Sequence, residues 1–294
     1  MKILLIGATG VLGRPAVAEL LAQRHDVKAL ARNEDRAIVI RHLRAQPVVG
    51  DLFDTESLRS AMTGCDAVIN LASRLPQGAR FASPAAWRYN DHVRVAGSAA
   101  VVDAALHSDT VHTVVAEGIC FVYADGGDAV LDEDAPLEAT GFLRSSVLAH
   151  ENAQGFAATG RTAVRLRIGL VVDRQLSQTL LGTAKLHLPM LPGPHDGWRT
   201  LIRPIDAAAA AIAALRAPSG VYNVGADPIR VGDLAGVVGE AAGVRRARTV
   251  PPWLVPAFSA LAPLTRSLRV SSARLSAATD WRPRQPRVEP QWFQ

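Results

Sequence analysis

The chain has 294 residues, 49% of them hydrophobic, which is enough to bury the core of one sizeable α/β domain with a smaller lobe. Its net charge of +5 would suit nucleic acid, but the arginines are scattered and lack a basic helix or an aromatic stacking set, so we expect no nucleic-acid partner. Two cysteines are too few for a disulfide framework, no signal peptide is expected, and no apolar run has the length of a membrane span. These features predict a soluble, cytoplasmic protein without a membrane partner.

Strand and helix patterns alternate along the first part of the chain. The predicted strands are Lys2–Ile6, Asp26–Ala31, Gln46–Val49, Ala67–Leu71, Val111–Ala116 and Ala163–Ile168. The predicted helices are Leu12–Arg24, Asp35–Leu43, Thr55–Met62, Ala85–Leu106 and Phe142–Thr159. This alternation predicts an α/β fold, a Rossmann-type doubly wound parallel sheet with helices on both faces.

The pattern changes from Gln175 onward. Prolines and glycines between Leu186 and Ile202 predict a segment without regular structure, and we expect it to be a mobile lid. Asp206 is predicted to cap an alanine-rich helix, and Gly220–Val224 to form a short strand. We therefore divide the chain into residues 1–174, mainly a nucleotide-binding Rossmann domain, and 175–294, mainly a smaller substrate-binding lobe, with segments that can interleave.

The first strand runs into three glycines with the spacing G-x-x-G-x-x-G, at Gly7, Gly10 and Gly13. Gly7 lets the chain turn off the strand, Gly10 lets backbone N–H groups approach a pyrophosphate, and Gly13 lets the next helix lie close to the sheet. The helix N-terminus then presents free N–H donors and a partial positive charge to the phosphates. This order predicts a dinucleotide site, and the alternative is a purely structural turn.

Later segments resemble the extended short-chain dehydrogenase/reductase family, which includes nucleotide-sugar epimerases and dehydratases. The resemblance covers nearly the whole chain. It lies in a set of segments in the family's order: Val49–Leu52, Val68–Ser73, Asn90, Val122-Tyr123, Arg203–Asp206, Val221–Gly225 and Trp281–Pro283.

The end of the second strand bears on the choice of nucleotide. A carboxylate there would bind the adenosine ribose and repel a phosphate, but the first acidic residue after the strand is Glu34. Arg14 and Arg32 could instead bracket a 2′-phosphate, unless both are merely exposed. The resemblance implies NADPH/NADP⁺ as the cofactor. It implies a cofactor-binding set of Gly7, Thr9, Gly10, Val11, Leu12, Gly13, Arg14, Arg32, Asp51, Leu52, Leu71, Ala72 and Ser73.

The family's catalytic positions are all changed. In the family, a serine or threonine after strand five polarises the substrate, and a tyrosine four residues before a lysine transfers the proton. The resemblance places Ile119 at the serine position, and Phe142 and Ser146 at the tyrosine and lysine positions. No lysine lies between Lys28 and Lys185, so no other register restores the pair. Phe142 has no proton to give, and Ser146 has no positive charge to lower the pKa of a phenol.

Four other side chains are candidate proton donors, and each has an ordinary structural alternative. Glu117 follows strand five but could cap a loop. His150 lies on the fifth predicted helix and could be a packed or exposed helix histidine. His187 and His195 flank the Pro/Gly segment and could reach a substrate or remain exposed. No spacing typical of a metal site or of a Ser-His-Asp triad is present.

The function implied by the resemblance is that of an atypical member without the triad. Such members include ketoreductases that tailor aromatic polyketide antibiotics such as angucyclinones. We expect hydride transfer from NADPH to a polycyclic aromatic ketone whose own neighbouring hydroxyl supplies the proton. The expected substrate-binding residues are Gly118, Ile119, Phe142, Ser146, Met190 and Trp198. The alternatives are an inactive NADP-sensing regulator and, third, a nucleotide-sugar epimerase or dehydratase. The fourth and fifth predicted helices could pair two copies of the chain.

Overall fold

The computed structural model describes residues 1–251 and 259–294. Its strands are β1 (Lys2–Ile6), β2 (Asp26–Ala31), β3 (Gln46–Val49), β4 (Ala67–Asn70), β5 (Thr113–Ala116), β6 (Val130–Leu131), β7 (Thr162–Ile168), β8 (Leu170–Val171), β9 (Pro189–Leu191), β10 (Trp198–Arg199), β11 (Leu201–Ile202), β12 (Gly220–Val224), β13 (Ile229–Arg230), β14 (Arg248–Thr249) and β15 (Arg269–Val270). Its α-helices are α1 (Gly13–Ala22), α2 (Glu34–His42), α3 (Thr55–Met62), α4 (Pro84–His92), α5 (Ser98–Leu106), α6 (Arg144–Ala157), α7 (Arg174–Lys185), α8 (Pro204–Ala213), α9 (Val231–Ala242) and α10 (Ala273–Thr279).

Seven strands form one parallel sheet in the order β12, β7, β5, β4, β1, β2, β3. The chain leaves β1 for β2 and β3 on one side and then crosses to β4 on the other. Ligands of doubly wound sheets bind at such a reversal, outside the carboxyl ends of the strands. The Rossmann-type prediction is confirmed, and the turn after β1 lies at the reversal.

The sheet is buried on both faces because its strands alternate apolar side chains between two cores. In β1, Ile3 and Leu5 pack with α1, α2 and α8, while Leu4 and Ile6 pack with α3, α5 and α6. A period of two residues produces this alternation, and burial on both faces favours a continuous apolar run. The apolar sequence of β1 therefore suits an interior strand of the sheet, between β4 and β2.

Several predicted boundaries are confirmed. β1, β2, β3 and α3 have the predicted bounds, whereas β4 ends one residue early and β5 begins two residues late. The predicted helix Ala85–Leu106 contains a π-helical turn at Val93–Gly97, between α4 and α5. Such turns are rare and often occur at functional sites.

The segment from Leu186 to Ile202 contradicts the prediction of irregular structure. It contains β9, β10 and β11, each of which pairs with a strand distant in sequence: β14, β13 and β8, respectively. Strands of two or three residues give no periodic signal, so their pairing was not visible in the sequence. The mobility of the segment stays a prediction.

The predicted cap at Asp206 is also wrong. Helix α8 begins at Pro204, whose fixed φ suits the first helical position, and Arg203 is the N-cap. Asp206 is buried at the third helical position, where its carboxylate accepts a hydrogen bond from the Arg284 backbone N–H at 3.0 Å. It therefore ties the C-terminal segment to α8.

The last third of the chain contributes to both parts of the structure. The predicted strand Gly220–Val224 is confirmed as β12 at the edge of the main sheet, and α8 packs against α1. Helices α7 and α9 form a separate apolar cluster with the C-terminal turn Pro290–Phe293. The division at residues 174/175 stays a prediction. Across the described ranges, no helix combines the length and apolar character needed to cross a membrane.

Candidate functional site

The glycine turn after β1 packs tightly against its neighbours. Gly7 has φ +85°, and a Cβ there would lie 2.8 Å from the Leu71 carbonyl oxygen. A Cβ on Gly13 would lie 2.0 Å from the Gly7 carbonyl oxygen, and the Gly10 N–H donates to that same oxygen at 2.9 Å. Only glycine permits this approach of backbone to backbone, directly before the N-terminus of α1. The geometry fits a pyrophosphate-binding turn.

The loop after β4 completes the wall beside this turn. Leu71 N–H continues the sheet by donating to the Ile6 carbonyl, and Ala72 N–H donates to Asn70 Oδ1 at 3.1 Å. The loop is held from α4, because Arg74 N–H donates to Oδ1 of the buried Asn90 at 2.9 Å. The structure therefore brings Gly7 close to Leu71 and Ala72, and Ser73 follows them in the same loop; cofactor binding by these residues stays a prediction.

Three arginines lie around the carboxyl end of β2. Arg14 Nε donates to the Thr9 carbonyl at 3.2 Å, and Arg32 is exposed immediately after the strand. The third, Arg36, was not predicted from the sequence, and its Nη1 lies 3.5 Å from Thr9 Oγ1. Its position in the first turn of α2, directly after the N-cap Asn33, was the sequence feature that could have indicated it. These guanidinium groups could contact a phosphate on the adenosine ribose.

The turn after β3 is the segment that the resemblance predicts to contact the adenine. Asp51 Oδ1 accepts the Phe53 N–H at 3.0 Å, so part of the carboxylate is used within its own turn. Leu52 packs against Gly97 of the π-helical turn, where a Cβ would lie 2.8 Å from its Cδ2. The Phe53 ring stacks on His92, with centroids 4.4 Å apart. Phe53, His92 and Gly97 were not predicted from the sequence. The only sequence feature that could have indicated this contact is a glycine inside a helix.

The three changed catalytic positions do not form one cluster of polar groups. Ile119 N–H donates to Ser146 Oγ at 3.3 Å, so those two residues are in contact. The Phe142 ring lies instead against Trp87, with ring centroids 3.8 Å apart and an interplanar angle of 16°. Phe81 packs edge-on against both rings, and its carbonyl accepts the Trp87 indole N–H at 2.9 Å. The trio forms an aromatic wall beside the start of α6.

Glu117 is engaged in a buried ion pair. One of its carboxylate oxygens lies 3.1 Å from Arg94 Nη2, and the side chains are 8% and 3% exposed, respectively. Loss of either partner would leave an uncompensated buried charge. Glu117 is therefore the ion-pair partner of Arg94, a residue of the π-helical turn that was not predicted from the sequence. This contact disfavours a role of Glu117 as proton donor.

His150 is buried beside Ser146 and Gly118. Burial, followed by the positive charges of Arg167, Arg165 and Arg94, lowers the pKa of His150 to about 3. The imidazole is therefore neutral at ordinary pH and has no readily available proton for a substrate. His150 is therefore a packed helix histidine, the ordinary structural role that was the alternative to a proton donor.

The remaining candidates lie between α7 and α8 in the chain. His187 has φ +54° just after α7 and is exposed, while the exposed His195 packs its ring against Gly232 of α9. The indole N–H of Trp198 donates to Asp128 at 2.9 Å. The guanidinium groups of Arg230 and Arg269 lie over the Trp198 ring, 4.5 and 4.6 Å from its centroid.

These contacts give Trp198 a packing role in the lobe, so substrate binding by this residue stays a prediction. The Met190 side chain lies outside the described residues, although its backbone belongs to β9. Gly118, Ile119 and Ser146 do lie together. Within residues 1–251 and 259–294, no group of three His, Cys, Asp or Glu side chains could hold a metal ion.

Comparison with known proteins agrees with this site. Residues 7–151 match a family model described as NAD(P)H-binding. A 3-diazoavenalumate denitrifying reductase from a Streptomyces species is 29% identical, over 97% of this chain and 97% of that protein. A 4-hydroxy-2-methyl-3-oxo-4-farnesyl-3,4-dihydroquinoline-1-oxide ketoreductase from Stigmatella aurantiaca is 37% identical over 73 residues, which are 25% of this chain and 22% of that protein.

Solved structures share the fold. MoeE5 in complex with UDP-glucose and NAD has a TM-score of 0.77 and 18% identity, over 100% of this chain and 96% of that chain. UDP-glucose 4-epimerase from Thermus thermophilus, in complex with NAD, has a TM-score of 0.74 and 20% identity, over 100% and 99% of the two chains. Identities this low show the fold alone. The family match and the glycine turn together establish a nicotinamide dinucleotide as the cofactor.

Proposed function

We propose that this chain, an NAD(P)H-binding oxidoreductase of the short-chain dehydrogenase/reductase type without the usual triad, is an NADPH-dependent ketoreductase of polycyclic aromatic ketones. One observation carries the proposal: a residue that cannot donate a proton occupies the expected position of the catalytic acid, and it is part of the aromatic wall. Phe142 takes the place of the tyrosine and stacks on Trp87, while the buried groups nearby, Glu117 and His150, are an ion-paired carboxylate and a neutral imidazole.

The charges around β2 support NADPH over NADH. Arg14 and Arg36 contact Thr9 in the turn after β1, and Arg32 is exposed directly after β2, so their guanidinium groups could hold a 2′-phosphate. Glu34, the first carboxylate after β2, forms an ion pair with Arg41 at 2.6 Å along the outside of α2. The carboxylate that would favour the ribose hydroxyl of NADH is thus engaged elsewhere.

The aromatic wall supports a flat, apolar substrate. Trp87 is 2% exposed and supports Phe142 from behind, while Phe81 and Phe142 are half-buried. Offset stacking and edge-to-face contacts with such rings favour an aromatic ligand over a sugar. The Stigmatella relative, whose name specifies a ketoreductase of a quinoline oxide, is consistent with this class.

The protein's own residues would bind, orient and exclude water, and they would not supply a proton. Bound NADPH supplies the hydride. Ser146 accepts the Ile119 N–H and has one further lone pair for a ribose hydroxyl. The substrate's ketone is held by an internal hydrogen bond from a neighbouring phenolic hydroxyl. As the carbonyl carbon gains hydride, that O–H bond breaks, its proton joins the new alkoxide oxygen, and the phenolate later regains a proton from water.

Consumption of NADPH with a panel of polycyclic aromatic ketones tests this function. We expect turnover with ketones that have a phenolic hydroxyl beside the carbonyl, and much slower turnover with their methyl ethers. Tight NADP⁺ binding without turnover of any member of the panel would instead favour a nucleotide-sensing regulator. Equal rates with the free phenols and their methyl ethers would contradict the proton route while leaving the ketoreductase intact.

A further inference from the structure

A small cavity lies behind Ser146, between α6 and the carboxyl half of β7. It has a volume of about 30 Å³ and is lined by Val122, Leu137, Ser146, Val147, His150 and Arg167. A volume of about 10–15 Å³ or more is enough to hold a water molecule, and a buried water usually needs two to four polar partners. Three of the six lining side chains are polar, so both size and chemistry suit a single water.

His150 supplies the strongest indication of a ligand. The residue is 8% exposed, and its Nε2 has no partner among the residues that the structure describes. The ring is neutral, so each of its nitrogens is either a donor or an acceptor. Nε2 is a buried polar atom, which costs free energy unless it makes a hydrogen bond.

Ser146 and His150 face the same small space. A Cβ on Gly118 would lie 2.4 Å from His150 Nε2 and 2.9 Å from Ser146 Oγ. The missing side chain at Gly118 therefore leaves room for both polar atoms. Ser146 Oγ already accepts the Ile119 N–H, so its own hydroxyl proton remains to be placed.

The third polar group, Arg167, is held rigidly. Its Nη1 donates to the Tyr123 hydroxyl at 2.7 Å and to the Glu133 carbonyl at 3.0 Å, and its guanidinium lies 4.8 Å from the centre of the Tyr123 ring. Tyr123 donates in turn to Asn223 Oδ1 at 2.7 Å. A guanidinium has five N–H donors, so these bonds leave donors for a ligand in the cavity.

We propose that the cavity binds one water molecule that donates to His150 Nε2 and accepts from Arg167 and from the Ser146 hydroxyl. The water orients the Ser146 proton into the protein, so that Ser146 offers only a lone pair to the nicotinamide ribose. His150 is thus a positioning residue for Ser146. This role rests on nucleotide binding by the chain and is independent of the identity of the ketone.

A high-resolution crystal structure of the unmodified protein tests the site directly. We expect one density peak within hydrogen-bond distance of Ser146, His150 and Arg167. A second crystal soaked in bromide distinguishes water from a halide, because an anomalous peak in the cavity would overturn the water assignment. A direct bond from a protein group to Nε2 would also overturn it.

Calorimetric titration with NADP⁺ tests the positioning role without any ketone. His150→Phe would place apolar atoms in the cavity and should weaken NADP⁺ binding by about three- to tenfold, the effect of one misplaced hydrogen bond. His150→Gln keeps a polar end near the same place and should bind within about twofold of the unmodified protein. Val147→Ala alters the cavity wall without removing a polar partner and is the matched control.

Thermal unfolding of each variant shows whether it is folded. If His150→Phe does not fold, Gly118→Ala provides the second perturbation, because its methyl group would displace His150 Nε2 and Ser146 Oγ. Unchanged NADP⁺ affinity in a folded His150→Phe or Gly118→Ala protein would rule out the positioning role. Absence of ketone turnover in the unmodified protein, with normal NADP⁺ binding, would contradict the proposed reaction, whereas the density in the cavity and the NADP⁺ titrations of the variants decide the water site and its role.

Discussion

The Phe142 ring stacks on the Trp87 indole with centroids 3.8 Å apart, although 55 residues separate the two in the sequence. Helix α4 carries Trp87, and Phe142 lies in the short turn Gly141–Leu143 directly before α6. The ring that the resemblance places at a catalytic tyrosine position is therefore held by packing against an indole.

Replacing Phe142 tests the stack as a substrate contact. Phe142→Leu removes the aromatic face, and stacking is worth about 0.5–1.5 kcal/mol, so the KM for an aromatic ketone should rise by about two- to tenfold with a smaller change in kcat. Tyr89→Leu, an exposed aromatic on the same helix as Trp87, is the control and should leave KM unchanged. Steady-state kinetics at saturating NADPH would measure both. An equal rise in KM for both variants would contradict a specific stack.

Arg32 is expected to select NADPH over NADH. Arg32→Ala should remove a charged hydrogen bond of about 1.5–3 kcal/mol, which weakens NADPH binding by about ten- to a hundredfold and leaves NADH binding nearly unchanged. Arg59→Ala removes the same charge from the exposed face of α3 and controls for net charge. Calorimetry with both nucleotides gives the ratio. Equal affinity of the unmodified protein for NADPH and NADH would show that the arginines do not discriminate between the two nucleotides.

Two glycines give opposite expectations for the same change. Gly13→Ala should abolish nucleotide binding or unfold the domain, because its Cβ would lie 2.0 Å from the Gly7 carbonyl oxygen. Gly155 lies within α6 with no atom within 4 Å of an added Cβ, so Gly155→Ala should stabilise the protein by about 0.5–1 kcal/mol. Urea unfolding compares the two variants. A stable Gly13→Ala protein with full NADPH affinity would show that the turn does not have this geometry.

The sequence predicted the features that depend on neighbours along the chain. The strand, the glycine turn and the helix from Lys2 to Ala22 follow from local pattern and from the conformational freedom of glycine, and the structure has them. The contacts between distant segments were not predictable. The pairing of Glu117 with Arg94 depends on how the π-helical turn meets the end of β5, and a strand as short as β10 forms by pairing with β13. No periodicity in the sequence records such pairings.

His150 should make stability depend on pH. It takes up a proton in the unfolded chain below about pH 6.5, but in the folded protein only near its pKa of about 3. The unfolded state therefore binds more protons between these values, and the free energy of unfolding falls as the pH falls, by up to about 1.4 kcal/mol per pH unit. Burial is the main cause of the lowered pKa, and positive charges on β7 and the π-helical turn add to it: Arg167, Arg165 and Arg94.

Urea unfolding of the unmodified protein and of His150→Gln, at several pH values between about 7.5 and 5, isolates this contribution, because carboxylates common to both proteins cancel. The unfolding free energy of the unmodified protein minus that of His150→Gln should decrease as the pH falls. A difference independent of pH would mean that His150 has the same pKa in the folded and the unfolded state.

The final prediction concerns the source of the proton. If the substrate's own hydroxyl supplies it, then Ser146→Ala, His187→Ala and His195→Ala should each retain kcat within about tenfold, less than the effect of a lost general acid, which is typically about 10²–10⁴-fold. Glu117→Gln should mainly lower stability, by about 3–5 kcal/mol, because it leaves the Arg94 charge buried without a partner. Phe142→Tyr adds a phenol at the family position but no lysine beside it, so it should not raise kcat. Methylation of the substrate hydroxyl should slow the reaction more than any of these replacements, as measured by single-turnover oxidation of NADPH. A folded variant that binds both nucleotide and ketone normally but has no turnover would instead identify a proton donor in the protein, and the substrate-assisted route would then be wrong.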